Sequence, residues 1–180
     1  MRQIAAEALI AQYVQGDREF ENCDLTRANF FEASLQGVNL ARSRMLRSYL
    51  PYANLRYANL SQTELEDAEL SDAQLHQANL HDANLQRANF SRADLSFANL
   101  SGSDLTQANL QGANLSNANL SQTNLANADF SRANLTGANL TDANLTNATL
   151  FRAIGVNLAG ARIDPKTIHP DGHRQGENGE

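Results

Sequence analysis

Large apolar residues recur every five positions from Phe20 to Leu150. Each position in that stretch whose number is a multiple of five is Phe20, Phe30, Phe90, Phe130, Met45 or one of 22 leucines. Two residues before each stands a small one: from Cys23 to Ala148 that position holds only Ala, Ser, Thr, Cys or Val. The residue between is usually Asn or Asp, and the other two are mostly polar. A helix needs apolar residues at three- and four-residue spacing, and a half-buried strand needs alternation. A step of five fits neither. It fits a chain that turns a corner once per pentapeptide, always in the same sense, so that the large and the small residue face a common axis while three residues face water. Coils stacked in this way satisfy their backbone against the coils above and below, and each repeat contacts only its neighbours. The pattern predicts an all-β solenoid.

The repeat A-N/D-L-x-x, as in Ala113-Asn114-Leu115-Ser116-Asn117 and Ala138-Asn139-Leu140-Thr141-Asp142, resembles the pentapeptide-repeat family. The resemblance covers about three quarters of the chain, without an insertion. It implies a right-handed quadrilateral β-helix with four pentapeptides per coil, hence about seven coils in a tower roughly 33 Å tall at a spacing of about 4.8 Å. Residues twenty apart then stack, and Asn39, Asn59, Asn79, Asn99, Asn119 and Asn139 fall in one column, as an amide ladder requires. Phe30, Phe90 and Phe130 share another column.

The ends break the period. In residues 2–15 the positions Ala6, Leu9, Ile10, Tyr13 and Val14 share one arc of a helix, and Gly16 is a C-terminal stop. Glu7 interrupts the apolar run that a signal peptide needs. The open end of a β-helix must be covered, and residues 1–16 are expected to form that capping helix. The run Val14–Phe20 resembles the helix-to-first-coil junction of cyanobacterial family members. The helical coils are expected over 17–163, with a bulged last coil after Leu150 where Gly155 replaces a centre residue. Residues 164–180 are expected to fold back as a C-terminal cap and mobile tail. Gly or Asn two residues after the centre (Gly102, Gly112, Asn117, Asn127, Gly137, Asn147) suits a type II turn, where φ is positive.

Charge adds one local feature. The chain carries 20 acids against 14 bases, a net charge of −6. Arg42, Arg44, Arg47 and Arg56 lie among Tyr49, Tyr52 and Tyr57, a mix that can bind single-stranded nucleic acid. The next coil carries Glu64, Glu66, Asp67, Glu69 and Asp72, so a twenty-residue coil sets Arg44 over Glu64 and places Asp67 between Arg47 and Arg87. Opposite-sign ladders are the first reading of these residues; a partner-binding surface made of the same twelve is the second.

No constellation for catalysis stands out. Cys23, the single cysteine, occupies a small inward position as core filler. His76 and His81 face outward and His169 and His173 lie in the tail, with no spacing that suits a metal. A leucine-filled interior leaves no cleft for a substrate. No cofactor, small-molecule substrate, membrane or nucleic acid is expected. The expected function is a cytoplasmic, non-enzymatic scaffold that binds a protein through a face or an end, monomeric because both ends are covered. Two alternatives follow from the resemblance: a DNA mimic that modulates DNA gyrase or a related topoisomerase in quinolone protection, or a regulator of cyanobacterial cell differentiation. Mimicry needs long unbroken acidic stripes, which this charge pattern lacks.

Overall fold

Each pentapeptide builds one turn. The centre residue begins it, and the amide three residues on closes it, as when Ala108 donates to the Leu105 carbonyl at 2.9 Å. The third turn residue is left-handed at every unit from Asn22 to Arg152, with φ between 53° and 73°. Only four of these positions are glycine: Gly37, Gly102, Gly112 and Gly137. The rest include Arg, Gln, Asp, Tyr and Phe, each paying roughly 1 kcal/mol for a left-handed backbone. The offset comes from the ladder. Residues twenty apart pair in parallel, from Glu19 with Asn39 to Asn134 with Ile154, and bonds such as Leu25 N–H to Arg44 O at 2.7 Å join successive coils. Four turns therefore make one coil. The structure, a computed structural model, describes residues 1–174.

All 27 centre residues are buried, the most exposed being Leu140 at 3%. Among the small positions from Cys23 to Ala148, only Ala28 and Ala138 are partly rather than well buried. Burying one such leucine contributes about 1.5–3 kcal/mol, which outweighs the strain of its turn. The Asn39-to-Asn139 column forms the amide ladder: from Asn59 upward each Nδ2 donates to the Oδ1 one coil below at 3.0–3.3 Å, and Asn39 at its foot donates to Glu19 and Glu21. The same Oδ1 atoms accept the backbone N–H two residues on, as from Ser61 to Asn59 at 3.2 Å. One amide thus fixes both its own turn and the stacking.

The N-terminal segment differs in detail from the expected helix. The helix α1 spans Ala6–Val14, while Arg2–Gln3 is a short strand, β1, paired in parallel with Cys23–Asp24, β2. Ala6 and Leu9 are buried in the core cluster that contains Phe20 and Leu25, and Ile10 and Tyr13 pack against it. Val14 lies one position past this i, i+3, i+4, i+7 face and is 78% exposed. Gly16, at φ 110°, ends the helix in a Schellman motif: its N–H reaches Tyr13 O at 3.0 Å and that of Asp17 reaches Gln12 O at 3.1 Å.

At the other end the structure corrects two expectations. First, the frame slip is a contraction followed by an insertion. Asn144 pairs with Arg162, eighteen residues on, and Thr149 with Ile168, nineteen on. Gly155 tolerates the slip because a Cβ there would lie 2.4 Å from Thr136 Cα. Second, residues 164–170 do not fold back over the opening. They continue the ladder, with Leu150 N–H bonded to Ile168 O and Arg152 N–H to Pro170 O, both at 2.8 Å. Thr167 takes the small inward place, with its hydroxyl donating to Leu145 O at 2.9 Å. His169, expected in a tail, follows it into register with Leu150, and its Nε2 is buried without a hydrogen-bond partner among the described residues. Residues 171–174 turn back, so that Arg174 pairs antiparallel with Ile168. The remainder of the expected mobile tail, 175–180, lies outside the described residues.

Asp164 pins this last coil. Its Oδ1 accepts the N–H groups of Asn147 at 2.8 Å, Thr167 at 3.0 Å and Lys166 at 3.2 Å. These bonds, that from Asn147 foremost, hold its carboxyl below the usual value of 3.8. A carboxyl lowered in the folded state stabilises the fold above the unfolded value and stops doing so as pH falls through the folded one. The stability gap between wild type and Asp164→Asn should therefore be full near neutral pH and close as pH drops below 3.8. Thermal melts of both proteins across that range check this; a gap independent of pH contradicts it.

Candidate functional site

The twenty-residue coil sorts the surface into four edges, formed by the turns, and four faces between them. Edge one holds turns 21–22, 41–42 and their successors; edge two, 26–27 and 46–47; edge three, 31–32 and 51–52; edge four, 36–37 and 56–57. The twelve residues singled out from the sequence do not form one patch. Residues 42–57 are most of one coil and encircle the tower. Arg42 stands on edge one and Arg44 and Glu64 on the face after it. Arg47, Glu66 and Asp67 lie on edge two, Tyr49 and Glu69 on the next face, Tyr52 and Asp72 on edge three, and Arg56 and Tyr57 on edge four.

The structure brings the charged members together as ladders centred on edges one and two. Arg42 pairs with Glu21. Arg44 lies between Asp24 at 3.7 Å and Glu64 at 3.1 Å. Asp67 is held by Arg47 at 3.5 Å and Arg87 at 2.7 Å, and Arg87 also reaches Glu66. The Arg87 hydrogen bond is the main reason the Asp67 carboxyl sits below its ordinary value. On edge three Asp72 pairs with Arg92 at 2.6 Å, and on the face before it Glu69 accepts from Asn89 at 2.8 Å. These groups satisfy one another and leave little unpaired charge for a partner.

The aromatic members behave differently. Tyr49 and Tyr52 gather around Phe31, each ring centroid 6.0 Å from it, one stacked and one edge-on. On edge four Tyr57, His76 and Phe97 climb three successive coils in edge-to-face contacts of 5.9 and 5.6 Å. Arg56 lies over the Tyr57 ring at 6.0 Å. These two aromatic edges border one face, whose outward column is Ser34, Asn54, Gln74, Asp94 and Asn114. Phe31, Tyr49, Tyr52, Tyr57 and Phe97 are 45–53% exposed. Phe31, His76 and Phe97 are the residues missing from the sequence-derived surface. Their signal was present: a large ring one or two places after the centre, where the repeat otherwise sets polar residues.

The comparisons agree with this architecture. Two profiles of the family, Pentapeptide repeats (8 copies) and Pentapeptide repeat region, match residues 73–150 and 17–92. The chain belongs to the pentapeptide-repeat family. Among solved structures of pentapeptide-repeat proteins, it is similar to HetL, which is involved in heterocyst differentiation regulation in the cyanobacterium Nostoc sp. strain PCC 7120. The identity is 24%, covering 96% of this chain and 100% of HetL, with a TM-score of 0.52. It also aligns with QnrB1, a plasmid-mediated fluoroquinolone resistance protein, at 22% identity over 82% of this chain and 86% of that one, with a TM-score of 0.48. No curated protein matches by sequence. The likeness to HetL is a likeness of fold, and this pentapeptide-repeat chain shares its solenoid. Among the described residues, no group of His, Cys, Asp and Glu is arranged to hold a metal, and no helix is long and apolar enough to cross a membrane.

Proposed function

We propose that this pentapeptide-repeat protein is a non-enzymatic scaffold, a right-handed tower of about seven coils (27 pentapeptides at four to a coil). It binds a protein partner through the face between edges three and four. The observation that carries this reading is the pair of half-exposed aromatic edges on that face, in a surface where the outward positions are otherwise mostly polar. Interface centres are enriched in aromatic residues and arginine and depleted of other charges, which describes Tyr52, Arg56, Tyr57 and Phe97 around an amide-rich face. The rigid ladder presents these side chains without the ordering cost that a loop would add. DNA mimicry has less support, because Asp67 and Asp72 are each neutralised by arginines and no continuous acidic stripe results.

The test uses affinity capture from the source cell with two variants. Tyr57→Asn with Phe97→Asn removes two rings at left-handed positions where Asn is native in other repeats, such as Asn117 and Asn127. This variant should lose the captured partner while keeping its melting temperature. Arg42→Glu with Arg44→Glu and Arg47→Glu should retain it. The reverse pattern contradicts the assignment of the face.

A further inference from the structure

Edge three changes character above Asp72. Its third-turn positions run Arg92, Gly112, Arg132, Arg152, with no acid among them, in a chain whose net charge is −6. Gly112 leaves a gap in this column. A Cβ added there would meet only Arg92 Cγ, at 3.6 Å. The result is a notch of about 560 Å³ lined by Ser91, Arg92, Gln111, Gly112, Ser131, Arg132 and Phe151. Arg92 turns its guanidinium down the column to Asp72, with contacts of 2.9 and 2.6 Å. Arg132, exposed on the other side of the gap, takes part in no ion pair or side-chain hydrogen bond among the described residues. Arg152 lies over the Phe151 ring at 5.0 Å. The nearest acid on the face before this edge, Asp129, is already occupied: it accepts from the Gln111 side chain and, at 2.8 Å, from Ser131 N–H. On the face after it, Asp94 accepts from Ser96 N–H and Asn114, both at 3.1 Å.

We infer that this notch binds a phosphate group, free or as a phosphomonoester, seated over Gly112. Coils stack about 4.8 Å apart, so the unpaired Arg132 stands one level above Gly112 and its side chain can reach an oxyanion held over that residue, while Arg92, one level below, joins only by leaving Asp72. Guanidinium groups match phosphate oxygens with paired N–H donors. The Ser91 and Ser131 hydroxyls supply further donors, and the Phe151 ring offers a wall to an apolar substituent on the ester. The notch lies between side chains on an edge, so the absence of a cleft in the packed core does not bear on it.

Titration of the ¹⁵N-labelled protein with inorganic phosphate, at ionic strength held constant with sodium chloride, tests the site. Saturable shifts should centre on Gly112, Ser131 and Arg132. Gly112→Asn fills the gap with a residue native to this left-handed position at Asn117, and Arg132→Gln removes the unpaired cation using a residue found there at Gln107. Each should weaken binding roughly tenfold or more, whereas Arg87→Gln on edge two should leave it unchanged. Phenyl phosphate binding more tightly than a phosphoserine peptide points to a small-molecule source, and the opposite order to a phosphorylated partner; both support the site. Shifts that do not saturate, that sodium chloride reproduces, or that survive Gly112→Asn and Arg132→Gln overturn it.

Discussion

Ala118→Glu is expected to unfold the protein or bring it close to unfolding, while Ser116→Glu leaves it almost unchanged. The two positions are two residues apart in one pentapeptide boundary and carry the same new side chain. Ala118 is 1% exposed and sits in a small inward column, where its N–H bonds back to Leu115 O at 3.0 Å. A carboxylate there has no partner and no space; an unpaired buried charge costs several kcal/mol, and overpacking adds about 1–3. Against a total stability of about 5–15 kcal/mol, that is a large fraction. Ser116 points out of the turn on edge four. Its structural bonds are made by the backbone, N–H to Asn114 Oδ1 at 3.2 Å and C=O from Phe97 N–H at 2.9 Å, and these survive substitution. The expected change is under about 0.5 kcal/mol. Thermal melts decide it: equal melting temperatures contradict the inward and outward assignment.

Removal of residues 1–16 is expected to make the protein self-associate. The deletion takes away α1, whose Leu9 is fully buried against the first coil, and β1, which pairs with Cys23–Asp24. Phe20, Cys23 and Leu25 would then meet water, and the N-terminal coil would present unpaired backbone groups to a second copy. Light scattering should show oligomers or aggregates at concentrations where the full chain shows none. A truncated chain that scatters as a monomer and melts at the full-length temperature contradicts the capping role of this segment.

How much of this was legible in the sequence depends on what fixes each feature. The five-residue period, the inward pair and the amide column were legible because a solenoid repeats one local solution, and every repeat states it again. Gly102 and Asn117 betrayed the left-handed turn; Arg87, Tyr57 and Phe97 occupy the same backbone conformation without any propensity for it, because the ladder imposes it. The last coil was illegible for the opposite reason. Thr167 and His169 replace Ala and Leu in register, and the eighteen- and nineteen-residue offsets have no repeat to confirm them. The candidate face falls between these cases. Tyr52 and Tyr57 are one pentapeptide apart in sequence yet stand on different edges, whereas Tyr57, His76 and Phe97 are far apart in the chain and touch. Only the coil length converts one arrangement into the other. The salt bridges of Arg44 and Arg87 followed from that length directly; the aromatic edges required noticing rings where the repeat places polar residues.

Site-specific photo-crosslinking in the source cell measures the central claim, that one face of the tower recognises a protein. A photoreactive residue is placed at Gln74, in the outward column between the two aromatic edges, or at Asn84, in the outward column of the opposite face. Both positions lie in mid-tower, where the ladder bonds run from backbone to backbone; at Asn84 only the turn bond from Gln86 N–H, at 3.2 Å, is lost with the side chain. The account predicts a discrete protein adduct from position 74, abolished by Tyr57→Asn with Phe97→Asn, and none from position 84. Adducts of equal yield from both positions, or from position 84 alone, would contradict it.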